Sequence, residues 1–401
     1  MAFIADSLNR IKVSPTMAVT TLAAQLKAEG KSIISLGAGE PDFDTPNNIK
    51  EAAKKAIDDG QTKYTPVGGT AILKKAISDK FKNENNLIYN PSDQITVSNG
   101  GKHIIFNAFV STINKGDEVI IPAPYWVSYP DMVLFSGGKP VILHTSIDSG
   151  FKVSPESIGK LVTEKTKWII LNSPSNPTGA SYTYEELRLI GDVLKKYPNI
   201  WILSDDIYEH LVYDDFKYHT FAEVVPELFD RTLTVNGCSK AFAMTGWRIG
   251  FAGGSADLIK AMEKLQSQST TNPSSISQAA AVEALTGDKI YLTERSKKFC
   301  ERRDIVVELL NKIPGIDCLK PEGAFYVYPS CSELIGKTTY DGKTIKNDED
   351  FCKFLLESEG VAVVQGSAFG LEPHFRISYA TSNHLLIEAC KRIDSFCSSL
   401  K

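Results

Sequence analysis

The sequence predicts an α/β protein: a large domain built on a mostly parallel, seven-stranded sheet flanked by helices, with a smaller α+β domain beside it. Three observations predict this. Short β-branched runs recur through the middle of the chain, and several are apolar on both faces, as strands buried between two helical layers must be. Helical patterns fall between most of those runs, and strand–helix alternation is the signature of a layered α/β fold. The chain has 401 residues, beyond the size at which one hydrophobic core stops growing, so two domains are expected.

The elements follow in order. The N-terminal 46 residues contain LGAGEPDFDTP, too rich in Gly, Pro and Asp for the interior of an element. Strands are expected at 94–98 (QITVS), 118–121 (EVII), 140–144 (PVILH), 167–172 (KWIILN), 200–204 (IWILS), 232–236 (TLTVN) and 249–253 (IGFAG). Helices are expected between them, for example at 102–113 and 184–197. About a dozen residues join the last two runs, a short connection for a parallel crossover, which opens the way to an antiparallel strand there. Beyond it the pattern changes. A long helical segment (285–312) leads into strands at 324–328, 361–364 and 374–379, and a final helix is expected at 383–399. The boundaries fall near 47 and 300: residues 47–300 form the large domain, and 1–46 with 301–401 form the small one.

Composition narrows the function. Hydrophobic residues make up 42% and charged residues 23%, ordinary for a globular protein. A net charge of -4 gives no bulk attraction to nucleic acid or acidic membranes, so neither partner is expected. A small anionic substrate would need a local cationic pocket. The seven cysteines form no CxxC pair and no Cys/His ligand spacing, so no metal is expected. Their odd, scattered placement argues against a disulfide framework and for a reducing compartment. No secretory signal and no membrane-spanning run is evident, so the cytoplasm is the expected location.

Five segments carry candidate chemistry. In NGCSKAFAMTGWRIG, Lys240 sits among small and apolar neighbours, where desolvation disfavours the ammonium and favours a nucleophilic amine. Arg248, eight residues on, offers a planar fork for a phosphate. In SNGGKH, Gly100 and Gly101 sit where a strand gives way to a helix, and the free N–H groups of a helix start attract an anion. Gly-Gly before a helix is also an ordinary turn. The dinucleotide pattern G-x-G-x-x-G is absent here and at 37–42, which disfavours a nicotinamide dehydrogenase. NSPSNPTG follows a strand at its C-terminal end, where α/β sheets place ligands; it carries Asn176, and an X-Pro bond in this turn is a candidate for the cis form. In SDDIYEH, Asp205 and Tyr208 can share one pocket, with Asp206 an adjacent rival and a helix cap the bland alternative. Arg376 in HFRISY is an arginine inside a β-like run, costly to bury unless paired with a carboxylate, from a substrate or from a structural Asp or Glu.

Together these motifs resemble the fold-type I, pyridoxal-phosphate-dependent aminotransferases, and most closely the bacterial-type aspartate aminotransferases, some of which accept prephenate. The resemblance covers nearly the whole chain: SLGAGEPDFDTP, KYTPVGG, SNGGKHIIFNAF, APYWVSYPDM, NSPSNPTG, SDDIYE, SKAFAMTGWRIG, GAFYVYP and FRISYA occur in the family's order. It implies that Lys240 is the covalent anchor of the cofactor and the catalytic base. Asp205 faces the pyridine nitrogen, Asn176 and Tyr208 contact the ring oxygen, and Trp126 stacks on the ring. Gly100, Gly101, Lys102, Ser239 and Arg248 surround the phosphate, and Tyr64 reaches the phosphate of a neighbouring subunit, which implies a homodimer with shared active sites. Arg376 clamps the substrate α-carboxylate and Gly39 touches the substrate through its backbone.

Two departures stand out. The stretch QSQSTTNPSS (266–275) has no arginine for a distal carboxylate; the resemblance to the bacterial-type subgroup implies that Lys102, with hydroxyls such as Thr16, serves instead. Gly237 and Cys238 stand where a phosphate-binding hydroxyl is usual, leaving Ser239. The implied reaction is amino transfer between L-aspartate and 2-oxoglutarate, giving oxaloacetate and L-glutamate, with prephenate to arogenate as a further conversion. The alternative is another reaction of the same cofactor on this scaffold, an aromatic aminotransferase or a lyase.

Overall fold

The structure is a computed structural model and describes residues 3–13 and 15–401. After a helix at Pro15–Ala28 comes a two-residue strand, β1 (Ile34–Ser35). The large sheet then forms from β2 (Ile95–Ser98), β3 (Glu118–Ala123), β4 (Lys139–His144), β5 (Thr166–Asn172), β6 (Trp201–Asp205), β7 (Thr232–Gly237) and β8 (Gly250–Gly253). Its order is β2-β8-β7-β6-β5-β3-β4. All seven expected strands are present. Only β8 runs antiparallel to its neighbours, because the segment 238–249 is spent on a tight turn rather than a helical crossover.

Alternation within the strands explains the two buried faces. Trp168 and Ile170 of β5 point to one side and pack with Phe109 and Met262 from the helices Gly101–Thr112 and Ala256–Ser267. Ile169 and Leu171 point to the other and meet Leu187, Ile190 and Leu194 of the helix Tyr184–Leu194. A Thr183 and Glu186 capping box starts that last helix. Both faces are covered, so the sheet's interior strands carry buried apolar residues on both sides, with polar residues such as Thr234 and Asn236 buried among them.

The C-terminal part contains β9 (Tyr326–Val327), β10 (Val361–Ala362), β11 (Val364–Gln365) and β12 (Phe375–Ser378). β11-β12-β9 form an antiparallel sheet, and β10 pairs in parallel with β1. Helices Ile290–Leu310, Asp348–Glu359 and Asn383–Ser399 cover them, and Ile34 and Leu36 join the same core as Phe325, Phe351 and Phe375.

Two details correct the expectations, and a third bears one out and says which bond is concerned. The helical segment at 285–312 is two helices, Ser275–Thr286 and Ile290–Leu310, because Gly287 leaves the helix and its N–H caps Glu283 O. The run 361–364 is two short strands that turn to different partners, β1 and β12. The cis bond in the NSPSNPTG turn is Ser173–Pro174, with Ala123–Pro124 and Glu372–Pro373 the other cis bonds; Asn176–Pro177 is not among them.

Candidate active site

The carboxyl ends of β5, β6 and β7 open into one cleft of about 550 Å³, where parallel sheets place their ligands. Asn172 and Asp205 are cross-strand partners at the ends of β5 and β6, so ladder register alone sets them side by side. β7 continues into the turn that carries Ser239 and Lys240.

The turn is held from within: Met244 N–H donates to Ser239 O, and Cys238 N–H donates to Ile249 O. Cys238, Ala241, Phe242 and Met244 are buried, which leaves Lys240 to point into the cleft. Its amine donates to Gly39 O at 2.5 Å. Burial, and then the Arg376 guanidinium, pull the Lys240 ammonium down from the ordinary lysine range to about 8, against the opposing pull of Glu40 and Asp205.

The two adjacent aspartates point to opposite sides of the sheet. Asp206 Oδ1 and Oδ2 accept from the hydroxyls of Ser204 and Thr220 away from the cleft. Asp205 lines the cleft, and its Oδ2 accepts from the Tyr129 hydroxyl at 2.5 Å. Burial raises the Asp205 carboxyl to about 6, which still leaves it ionised at neutral pH. Tyr208 exchanges a hydrogen bond with Tyr326 at 2.9 Å beside it.

Across the floor lies a cradle for an anion. Gly100 has φ +93, and a Cβ there would stand 2.3 Å from Arg248 Nη2; a Cβ on Gly250 would stand 2.2 Å from Gly101 N. The positive φ at Gly100 and the backbone approach at Gly250 require glycine. The helix Gly101–Thr112 therefore starts with its N–H groups facing the space that Ser239, Lys102 and Arg248 also line. Arg248 is aimed by bonds from Nη1 to Thr245 O at 2.7 Å and from Nη2 to Asn99 O at 3.3 Å. Lys102 is pulled below the usual lysine range by burial and by Arg248, and its ammonium stands 5.0 Å from the Trp126 ring centre.

Arg376 closes the opposite wall. It is 2% exposed, yet no carboxylate forms an ion pair with it among the described residues. Nη1 donates to Asn176 Oδ1 at 2.8 Å, Nη2 donates to Gly37 O at 2.6 Å, and Nε has no partner. The rings of Tyr326 and Phe369 flank it at 4.6 and 5.0 Å. The structural salt bridge left open by the sequence is absent among the described residues. A buried guanidinium with no protein counter-ion among the described residues suits an anionic partner.

Of the residues singled out from the sequence, Thr16, Gly39, Gly101, Lys102, Trp126, Asn176, Asp205, Tyr208, Ser239, Lys240, Arg248 and Arg376 line this one cleft, and Gly100 lies against it. Tyr64 does not: it is 92% exposed, outside the cleft of its own chain. Sequence reading missed Tyr129, Tyr326 and Glu40. Tyr129 lies one helical turn after Trp126, a spacing that signals it. Nothing local signals Tyr326, which enters because β9 pairs with β12, Tyr326 opposite Ser378.

Comparison with known proteins agrees with this geometry. The family model described as aminotransferase class I and II matches residues 31–393. An aspartate/prephenate aminotransferase of Cereibacter sphaeroides is 58% identical over 400 residues, covering 100% of both chains. The crystal structure of the aspartate aminotransferase from Rhizobium meliloti superimposes with a TM-score of 0.97 at 53% identity, covering 100% of both chains. The aspartate aminotransferase from Thermus thermophilus with maleate superimposes with a TM-score of 0.92 at 40% identity, covering 99% of this chain and 100% of that one. With its sheet order, its cleft and these likenesses in agreement, the chain belongs to the class I and II aminotransferases.

Proposed function

We propose that this enzyme transfers an amino group between L-aspartate and 2-oxoglutarate, giving oxaloacetate and L-glutamate, that prephenate is a further acceptor giving arogenate, and that its cofactor is pyridoxal 5′-phosphate. The observation that carries the reading is Arg376, buried without a counter-ion across the cleft from an amine held near 8. The relatives' names, aspartate and aspartate/prephenate aminotransferase, point to the same substrates.

The residues present fit that cofactor. The glycine cradle with Ser239, Lys102 and Arg248 suits its phosphate, with Tyr64 of a partner subunit completing it in a homodimer. Trp126 offers a ring face, and Asn176 and Tyr208 offer polar groups to the ring oxygen. When bound, the cofactor supplies an electron sink for the pair released as the substrate α-C–H bond breaks. Asp205, ionised above about pH 6, holds a proton on the ring nitrogen, and the Tyr129 hydroxyl fixes the carboxylate's aim. Lys240 Nζ would hold the cofactor, and its amine, held near 8, could serve as the base that takes and returns a proton. Arg376 would grip the α-carboxylate and so fix the substrate's orientation in the cleft, an effect worth several kcal/mol. Lys102, with Thr16, meets the distal carboxylate.

We infer further that residues 47–300 and the pair 1–46 and 301–401 act as two domains, supported by apolar cores that are distinct on the sheet faces, although the small domain's core also takes in Tyr208, Leu211, Tyr213 and Phe299. No described helix is long and apolar enough to cross a membrane. The seven unpaired cysteines suit a reducing compartment, the cytoplasm. Single-turnover spectra with a panel of amino acids test the reading. Aspartate and glutamate are expected to convert the cofactor fastest; preference for aromatic amino acids, or elimination without amino transfer, overturns it.

A further inference from the structure

Immediately after Tyr208 the chain buries a second carboxylate that the reaction does not use. The Glu209 side chain is 4% exposed and forms an ion pair with Lys80, 1% exposed. Lys80 also donates to Asn85 Oδ1 at 2.5 Å, and Asn85 Nδ2 donates back to Glu209 Oε2 at 2.8 Å. At the rim, Glu84 accepts from Lys289 at 2.7 Å and shares a 3.0 Å hydrogen bond with His210 Nε2. Glu84, Glu209 and His210 have the composition of a metal site, but the Lys80 and Lys289 ammoniums already supply its cations.

One bond leaves this cluster toward the cleft. Asn236 Nδ2 donates to Glu209 Oε1 at 2.7 Å, and Asn236 Oδ1 accepts the N–H of Gly237 at 2.7 Å. Gly237 opens the turn that delivers Ser239 and Lys240. The ladder between β6 and β7 ends at Asp205 and Val235, with one more bond from Asp206 N–H to Val235 O. Beyond it the two chains part, one toward Tyr208 and the other toward Lys240, whose amine stands 5.8 Å from the Tyr208 ring centre. The Glu209–Asn236 bond bridges them past that point. Lys80 keeps Glu209 ionised despite its burial, so the carboxylate only accepts, and the Asn236 amide has one orientation.

We propose that Glu209 is a positioning residue: fixed by its buried ion pair with Lys80, it ties through Asn236 the strand end bearing Lys240 to the turn bearing Tyr208. The proposal rests on the reading of Lys240 and Tyr208 as cofactor-contacting residues.

The test compares Asn236→Ala with Asn85→Ala, which removes an equivalent bond to Glu209 but none toward Lys240. Three quantities are read: the pH titration of the bound cofactor's visible absorbance without substrate, kcat and KM for aspartate, and the Tm of cofactor-free protein. Asn85→Ala is expected to lower Tm and leave the titration midpoint in place. Asn236→Ala is expected to move the midpoint by about half a pH unit and lower kcat about tenfold, with KM changed less than about threefold. A wild-type midpoint and kcat in Asn236→Ala, or equal midpoint shifts in both variants, overturns the proposal. If Asn236→Ala does not fold, Asn236→Ser, which keeps a hydroxyl for the Gly237 N–H, is read against the same two outcomes. Wild-type protein that develops no visible absorbance with pyridoxal phosphate, or retains it in Lys240→Ala, refutes the cofactor reading instead.

Discussion

Replacing Arg376 with alanine separates a substrate-binding guanidinium from a structural one. In the proposed complex its fork makes two charge-assisted bonds to the α-carboxylate, each worth about 1.5–3 kcal/mol. Their loss amounts to about 3–6 kcal/mol of transition-state stabilisation, or about 10²–10⁴ in kcat/KM. Folding is affected differently. Breaking a buried ion pair costs about 3–5 kcal/mol because a charge is stranded, but Arg376 has no carboxylate partner among the described residues to strand. Its removal leaves Asn176 Oδ1 and Gly37 O without donors while relieving an uncompensated buried cation, and these effects oppose each other. The assay is the single-turnover half-reaction with aspartate and with a simple amine lacking an α-carboxylate, alongside the Tm of cofactor-free protein. The expected result is a fall of at least about 10² for aspartate, little change for the amine, and a Tm near that of the wild type. Equal losses for both substrates, or a collapse in Tm with the aspartate rate preserved, would refute the reasoning.

Lys240→Ala abolishes turnover and the cofactor's visible absorbance; in cofactor-free wild type, the rate of amine acylation at Lys240 rises with a midpoint near 8, and a midpoint near 10.5 contradicts the burial argument. Lys102→Ala lowers kcat/KM for aspartate and glutamate more than for a neutral amino acid, and equal losses exclude it from distal-carboxylate binding. Asp205 rises on folding from 3.8 to about 6, so the folded state binds the extra proton and stability falls as pH climbs through that window. Asp205→Asn therefore gains stability over wild-type cofactor-free protein between about pH 4 and 6, on the order of 1–3 kcal/mol, with a constant difference above; denaturant titrations at several pH values measure it.

Much of this was legible in the order of residues. The seven strands of the large sheet carry apolar, β-branched runs because both faces are covered, and that burial writes itself into composition without help from distant partners. The turns that end those strands hold Lys240, Asn176 and Asp205 at positions local chemistry marks: a lysine among small residues, a Pro/Gly turn, a carboxylate at a strand end. Other features had no local mark. Asp205 and Asp206 are equivalent in sequence, and only the strand's alternation, anchored by Ser204 and Thr220, sends one to the cleft and the other away. Whether Arg376 had a carboxylate partner depended on Gly37 and Asn176, far away in the chain, being the groups that meet it. Tyr326 and the Glu209–Asn236 bridge likewise exist because strands distant in sequence are neighbours in a sheet. Periodicity and turn chemistry are local, so sequence determined the elements and the residues at their ends; which polar groups face one another in a dry interior is a property of three-dimensional proximity, and only the tertiary structure decided it.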